Sequence, residues 1–303
     1  MDTIFALASA PGKAGISIVR LSGPLAINVA EKLTKSKLKE KQPNLRVIYD
    51  SDNHFIDQAL ILIFSKPYSF TGENVVEFHL HGSSAVVSSV IKLLSNFKGL
   101  RSAEAGEFTR CALENGKIDL AQVEGLADLI DAETDAQHKQ AARIFNGALG
   151  EKTKEWRARL VKAGALLVAT LDFADEEVPE EVTPEVEKLI NMVLSDLDKE
   201  IIGVHTAERI RSGFEVAIVG APNLGKSTLL NYLVGRDAAI TSNVSGTTRD
   251  VIEVKLDLRG LPVTILDTAG IRKSDDKVEE IGISRALERS SLSDLRIVLT
   301  EDG

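Results

Sequence analysis

The chain has 303 residues, 44% of them hydrophobic, which is enough for two or three globular domains and excludes an extended disordered polypeptide. No run of about eighteen apolar residues occurs, and Met1-Asp2-Thr3 has no basic region ahead of an apolar one, so a cytoplasmic protein without membrane span or leader is expected. A net charge of −9, from 36 basic against 45 acidic residues, offers no overall basic surface to a nucleic acid, and one cysteine, Cys111, excludes an internal disulfide and a cysteine-built zinc site.

Residues 1–116 alternate strand-like with helical runs. Thr3 to Ala8, Gly15 to Leu21, Ala59 to Phe64 and Val75 to Leu80 read as strands, and Pro24 to Leu33 and Ser84 to Leu94 carry helical spacing, so an α/β domain is predicted. The lysines at 32, 35, 37, 39 and 41 read as a solvated helix end. His79 and His81, two apart on one strand face, could suggest a metal, but without a third ligand packing or a pocket role is preferred. Cys111 lies in a helical pattern from Phe108 to Leu113 and reads as packing rather than chemistry.

From Lys117 to Arg211 the pattern is helical. Leu120, Val123, Leu126, Ala127 and Ile130 recur at three- and four-residue steps, as do Val186, Leu189, Ile190, Val193 and Leu197, which predicts a helical bundle turning at the acidic, proline-containing stretch Asp172 to Glu181. That stretch reads as a solvated corner.

Residues 212–303 begin with an apolar run, Phe214 to Val219, followed by Gly220-Ala221-Pro222-Asn223-Leu224-Gly225-Lys226-Ser227 and a helical pattern from Thr228 to Leu233. Strand, G-x-x-x-x-G-K-S loop and helix form the context of a phosphate-binding loop, because the loop N–H groups and the helix N-terminus direct positive charge at a polyphosphate. Lys226 is expected to reach the outer phosphates and Ser227 to place a hydroxyl on magnesium. Downstream, Ser245-Gly246-Thr247-Thr248-Arg249-Asp250 occupies the place of a switch loop. A hairpin follows, Val251 to Leu258 and Leu261 to Leu266 about the turn Arg259-Gly260, ending in Asp267-Thr268-Ala269-Gly270. The aspartate suits a water-mediated magnesium contact, and Gly270 leaves its N–H free to approach a γ-phosphate. Three such motifs in this order indicate a P-loop GTPase. Ile271 stands where many GTPases carry a water-orienting glutamine, leaving Arg272, Asp275, Asp276, Glu279 and Glu280 as candidates, or as charges that only solvate a second switch.

Together with Phe70-Thr71-Gly72-Glu73 and Gly116-Lys117-Ile118-Asp119-Leu120-Ala121-Gln122, these motifs resemble, over essentially the whole chain, the MnmE (TrmE) family of tRNA modification GTPases within the TrmE-Era-EngA-YihA-Septin-like superfamily. The resemblance implies an N-terminal α/β folate-binding and dimerisation domain at 1–116, the first half of a helical domain at 117–211, and the N-terminal part of a Ras-like P-loop GTPase domain at 212–303. GTP contacts are implied for Asn223, Leu224, Gly225, Lys226, Ser227, Thr228, for Ser242, Asn243, Val244, Ser245, Gly246, Thr247, Thr248, and for Asp267, Thr268, Ala269 and Gly270. Ser227 and Thr248 are implied to hold Mg2+, and Asn223, Ser242, Val244 and Thr247 a K+ ion that offsets transition-state charge as an arginine finger would. Glu279 takes the water-positioning role, with Arg249 and Asp267 as further catalytic residues. Arg20, Glu77 and Lys117 are implied to bind 5-formyl- or 5,10-methylene-tetrahydrofolate; from the residues alone, Arg20 and Lys117 read as solvated charges.

The implied function is to form, with the FAD protein MnmG as a heterotetramer, 5-carboxymethylaminomethyluridine or its aminomethyl counterpart at the wobble position of certain tRNAs, with folate supplying the one-carbon unit. A homodimer through the N-terminal domain is implied, and neither membrane nor DNA is a partner. The alternative is a regulatory or ribosome-assembly GTPase switch without modification chemistry, which folate binding would discriminate against. The sequence stops at Gly303, before the family's Asn-Lys-x-Asp guanine motif and C-terminal Cys-Ile-Gly-Lys, so nothing present separates GTP from ATP. A truncated product with impaired GTPase activity is therefore expected; potassium-dependent turnover near that of a full-length relative contradicts this.

Overall fold

The structure is a computed structural model that describes residues 2–172, 182–221, 224–236, 252–267 and 291–300. The chain divides into two compact units, Met1–Val123 and Glu124–Gly303.

The first unit is built on a six-stranded sheet of β1 (Thr3–Leu7), β2 (Ala14–Ser22), β3 (Asn44–Tyr49), β4 (Phe55–Phe64), β5 (Val75–Gly82) and β6 (Leu100–Ser102), in the order β3-β4-β5-β2-β1-β6. All neighbours are antiparallel except β1 and β6. On β5 the residues alternate, with Val76, Phe78 and Leu80 buried and Glu77, His79 and His81 on the opposite face. Two helices, α1 (Ala26–Thr34) and α2 (Ser84–Ser95), cover the apolar face, packing Val29, Leu33, Val90 and Leu94 against Phe5, Val19, Ile61 and Phe78. The other face carries Ile16, Leu45 and Leu60 at 61, 57 and 36% exposure.

Strands β3 and β6 have no counterpart among the expected strands, and β4 starts four residues ahead of the predicted Ala59. The early start turns on Asp57, whose charge interrupts the apolar alternation. Its buried carboxylate accepts from the His81 backbone N–H at 2.9 Å and lies 2.7 Å from His81 Nδ1, so the strand keeps its polar residue satisfied. This also gives His81 a structural partner. The lysine run is corrected too. Helix α1 ends at Thr34, Lys35 adopts a left-handed conformation (φ 49°), and only Lys32 of the five belongs to the helix.

Helix α3 (Glu107–Glu114) is fixed by a buried carboxylate. Glu107 accepts from Arg101 Nη2 at 2.6 Å, Arg101 Nη1 at 2.9 Å, Arg110 Nη2 at 3.1 Å and the Glu104 backbone N–H at 2.7 Å. The bidentate Arg101 guanidinium, ahead of the backbone donor and Arg110, holds the Glu107 carboxyl at about 2, against an ordinary 4.5. A carboxyl whose pKa is lowered on folding adds stability above its unfolded value and loses it as pH falls through the folded one. Glu107→Gln is therefore expected to lower the urea midpoint of this unit at pH 7, with the difference from wild type closing between pH 4.5 and about 2.

The second unit starts within α4 (Leu120–Asp131) and continues through α5 (Asp135–Phe145), α6 (Ala148–Asp172) and α7 (Thr183–Ser212). Helix α5 opens on a capping box, Thr134 with Gln137, that satisfies two of its terminal N–H groups. A Cβ at Gly125 would stand 2.7 Å from the Phe145 backbone nitrogen, so only glycine permits this approach of α4 to α5. Helices α6 and α7 run antiparallel, tied by Lys152 to Glu200, Arg159 to Asp196 (2.7 Å) and Lys162 to Glu185 (2.5 Å). Val186 and Val193 are buried as the periodicity predicts, whereas Leu120 and Ile130 are 64 and 75% exposed. A paired helix buries one side of its stripe; a bundle interior would bury more.

Among the described residues, five further elements follow in this unit: β7 (Phe214–Gly220), α8 (Lys226–Arg236), β8 (Ile252–Leu258), β9 (Leu261–Asp267) and β10 (Leu295–Leu299). The sheet order is β10-β7-β9-β8, with β10, β7 and β9 parallel and β8 antiparallel to β9. Ile218, Leu230, Leu256 and Ile265 form its core. The hairpin tip is joined to α5: the Ala136 N–H donates to Gly260 O at 3.1 Å, and Lys255 pairs with Glu133 at 3.0 Å. Among the described residues no helix is long and apolar enough to cross a membrane.

Candidate functional site

In the first unit, the antiparallel register of β2 and β5 sets Arg20 opposite Glu77 on the outward face. Arg20 Nε and Nη2 both reach Glu77 Oε1, at 2.9 and 2.8 Å, with side-chain exposures of only 27 and 14%. Because both donors converge on one oxygen, Oε2 keeps its acceptor capacity. His79 lies two residues along the same face, its Nε2 3.3 Å from Oε2 but out of line for a hydrogen bond, and this buried nitrogen has no hydrogen-bond partner. The guanidinium is flanked by aromatic rings, 5.9 Å from the Phe70 centroid and 5.6 Å from that of Phe108 on α3.

The loop supplying Phe70 is locked from below. Ser22 at the end of β2 is fully buried; its hydroxyl donates to Glu73 Oε2 at 2.7 Å and lies 2.7 Å from Thr71 Oγ1, which must therefore be the donor of that second bond. Asn115 Nδ2 donates to Thr71 O at 2.7 Å, and Gly72 (φ 78°) leaves space in which a Cβ would meet Lys117 Cγ at 3.3 Å. Lys117 is thus exposed beside the loop, its backbone N–H bonded to Ala112 O at 2.8 Å. Arg20 and Glu77 come into direct contact, while Lys117 is associated with them through the 70–73 loop. Cys111 is half-buried, and burial, with Glu73, Glu107 and Glu114 nearby, pushes its thiol up, which suits packing.

In the second unit, Lys226 begins α8 and is buried, its Nζ donating to Gly220 O and Ala221 O at 2.7 Å each. The ammonium therefore folds over the loop that precedes it. Gly225 has φ 82° with nothing within 4 Å of where a Cβ would stand, and Leu229 N–H bonds Gly225 O at 2.9 Å, so the glycine is needed for its left-handed backbone as the loop closes into the helix. Leu224 is half-buried and Thr228 exposed. Strand β9 pairs Ile218 with Asp267, bringing that residue to the carboxyl end of the parallel strands where the loop emerges.

Asn223, Ser242, Asn243, Val244, Ser245, Gly246, Thr247, Thr248, Arg249, Thr268, Ala269, Gly270 and Glu279 lie outside the described residues, as do Ile271 and the side chains of Ser227 and Asp267. Sequence reasoning gave no role to Ser22, Phe70 or Phe108. Phe70 stands in a motif that carried the resemblance, but its place over Arg20, like the Arg20–Glu77 contact across 57 residues, has no local signal.

These two units define a class: an α/β unit with a charged, aromatic-flanked site on its outward sheet face, followed by helices and a glycine-loop, largely parallel sheet. Residues 3–117 match the family model for the GTP-binding protein TrmE N-terminus, and residues 120–301 that for the MnmE helical domain. A tRNA modification GTPase MnmE of Roseobacter denitrificans is 62% identical over 300 residues, covering 99% of this chain and 70% of the relative. Proteins of the same name from Dinoroseobacter shibae and Paracoccus denitrificans are 59 and 52% identical, each over the whole chain and 71 and 72% of their own length. The chain belongs to the MnmE family.

Ser22→Ala removes one hydroxyl and strands the Thr71 and Glu73 partners in a buried setting. It is expected to cost about 1–3 kcal/mol in urea unfolding, whereas Lys117→Ala, at an exposed side chain, is expected to change stability by less than about 0.5 kcal/mol.

Proposed function

We propose that the chain is a GTP-hydrolysing tRNA modification enzyme that binds a reduced folate through residues 1–116 and GTP through residues 212–303, with the helical segment 117–211 between them in sequence. The observation that carries this reading is the strand–loop–helix from β7 to α8, with buried Lys226 held over the loop carbonyls at the carboxyl end of the parallel strands β10, β7 and β9. An incoming β/γ-phosphate offers that ammonium a stronger, charged acceptor than two carbonyls do. In this reading Ser227 and Thr248 hold Mg2+, which neutralises charge on the phosphates when bound. Asn223, Ser242, Val244 and Thr247 hold K+, Glu279 positions water, and Arg249 and Asp267 assist.

Arg20, Glu77 and Lys117 serve the folate. A carboxylate suits the amino-pyrimidine edge, and cations suit the glutamate tail. The Glu77 oxygen left unengaged by Arg20 supports this fit. The apolar outward face with Ile16, Leu45 and Leu60 supports a homodimer through this unit. Action on tRNA with MnmG rests on family membership, and the net charge of −9 adds nothing to it.

Fluorescent GTP titrations test the reading directly. Lys226→Ala is expected to weaken nucleotide binding roughly 10–100-fold, the scale of a lost charged hydrogen bond, while leaving folate affinity unchanged. Replacing K+ by Na+ is expected to slow turnover in wild type and to have no effect in Asn223→Ala. Unaltered nucleotide binding in Lys226→Ala refutes the loop assignment.

A further inference from the structure

Among the described residues of the first unit, two buried side-chain polar atoms lack a hydrogen bond, Ser65 Oγ and His79 Nε2, and only the second lies beside the Arg20–Glu77 pair. His79 stands on the outward face of β5 between Leu60 and Ile18, its cross-strand neighbours, and its side chain is 21% exposed. Its Nε2 is buried, yet no protein acceptor or donor aligns with it. Such an orphan is costly and invites a partner from outside the chain. Two features say where that partner sits. Glu77 Oε2, 3.3 Å away, is the carboxylate oxygen that Arg20 does not engage, so acceptor and ring nitrogen stand side by side. The Phe70 and Phe108 rings close around the Arg20 guanidinium that fixes the other oxygen.

We propose that His79 is a specificity-determining residue of this site, donating Nε2–H to the 4-oxo group of a bound 2-amino-4-oxopteridine while Glu77 Oε2 accepts from the adjacent N3–H. The proposal rests on the folate reading of the same site. The chemistry follows from the order of the groups. Glu77 Oε2 followed by the ring N–H presents acceptor then donor, and the pteridine edge presents a donor at N3–H and an acceptor at the 4-oxo group. Arg20, with both of its contacts on Oε1, holds the carboxylate in the orientation this row requires. A 4-amino pteridine sets a donor against the imidazole N–H and, because its N3 carries no hydrogen, an acceptor against the carboxylate, so the match is lost at both positions and the His79 share is read from the variants. Discrimination of this kind is strong where a site is built to bond a particular polar group.

The test is calorimetric titration of the whole chain with 5-formyltetrahydrofolate and its 4-amino-4-deoxy counterpart, in wild type, His79→Leu and His79→Gln. In His79→Leu the 4-oxo ligand is expected to bind about tenfold more weakly and the 4-amino ligand to change by less than about threefold, so that the ratio of the two affinities falls. His79→Gln, which retains an N–H donor, is expected to restore the 4-oxo preference. Equal weakening of both ligands without rescue by glutamine makes His79 a packing residue and overturns the proposal. So does a ratio unchanged by the leucine substitution. Wild type itself provides a reading that needs no variant: with 15N-labelled histidine, the His79 Nε2 resonance is expected to move on addition of 5-formyltetrahydrofolate, and a stationary resonance under saturating ligand overturns the assignment. Absence of any folate binding by wild type is a different failure, since it removes the folate reading and the present inference with it.

Discussion

The antiparallel ladder between β2 and β5 is the constraint on which the first unit depends. Successive side chains alternate across a strand, so one register decides two things together. With Val19 opposite Phe78, the inward face closes into a core under α1 and α2. With Arg20 opposite Glu77, the outward face acquires a half-buried ion pair. A one-residue slip would bury the charges and expose the phenylalanine, so the core and the charged site cannot be separated energetically.

Two buried carboxylates, Asp57 and Glu107, and the half-buried Glu73 show how the rest of this unit is organised around that ladder. Asp57 is satisfied by His81, Glu107 by Arg101 and Arg110 with a backbone N–H, and Glu73 by Ser22. Each removes a desolvated charge that would otherwise destabilise the fold. Each also places something: Glu107 sets α3 and hence Phe108, and the Ser22–Thr71–Glu73 set holds the loop that carries Phe70. The site is therefore rigid for structural reasons that lie outside it, which suits recognition of a flat heterocycle by few polar atoms.

In the second unit the same logic operates through backbone groups. The glycine loop leaves carbonyls that Lys226 satisfies, and the capping box of α5 with the Ala136 to Gly260 bond ties the β8–β9 hairpin to a helix. A Cβ at Gly220 would come within 2.8 Å of Leu299 O, so the turn out of β7 is glycine because β10 passes close by. The hairpin that follows the glycine loop in sequence is thus mechanically continuous with the helical elements of its own unit.

The sequence by itself determined the local pieces. The glycine loop between an apolar run and a helix, the hairpin about Arg259-Gly260, the periodic helices, and the strands of high alternation were all legible, because propensity and period act over a few residues. Strands β3 and β6 were not. β6 has three residues, and in β3 the large apolar Leu45 is exposed, so neither carries a burial pattern of its own and both exist only because a neighbour offers unpaired backbone. Tertiary structure alone decided which charges meet. Arg20 reads as a solvated cation until β5 arrives opposite it, Phe108 as a helix apolar residue until Glu107 anchors its helix, and His79 as either packing or a pocket residue until its nitrogen is found buried beside the unengaged oxygen of Glu77. Register and anchoring are long-range properties, and a residue's chemistry follows from the partner that the fold supplies.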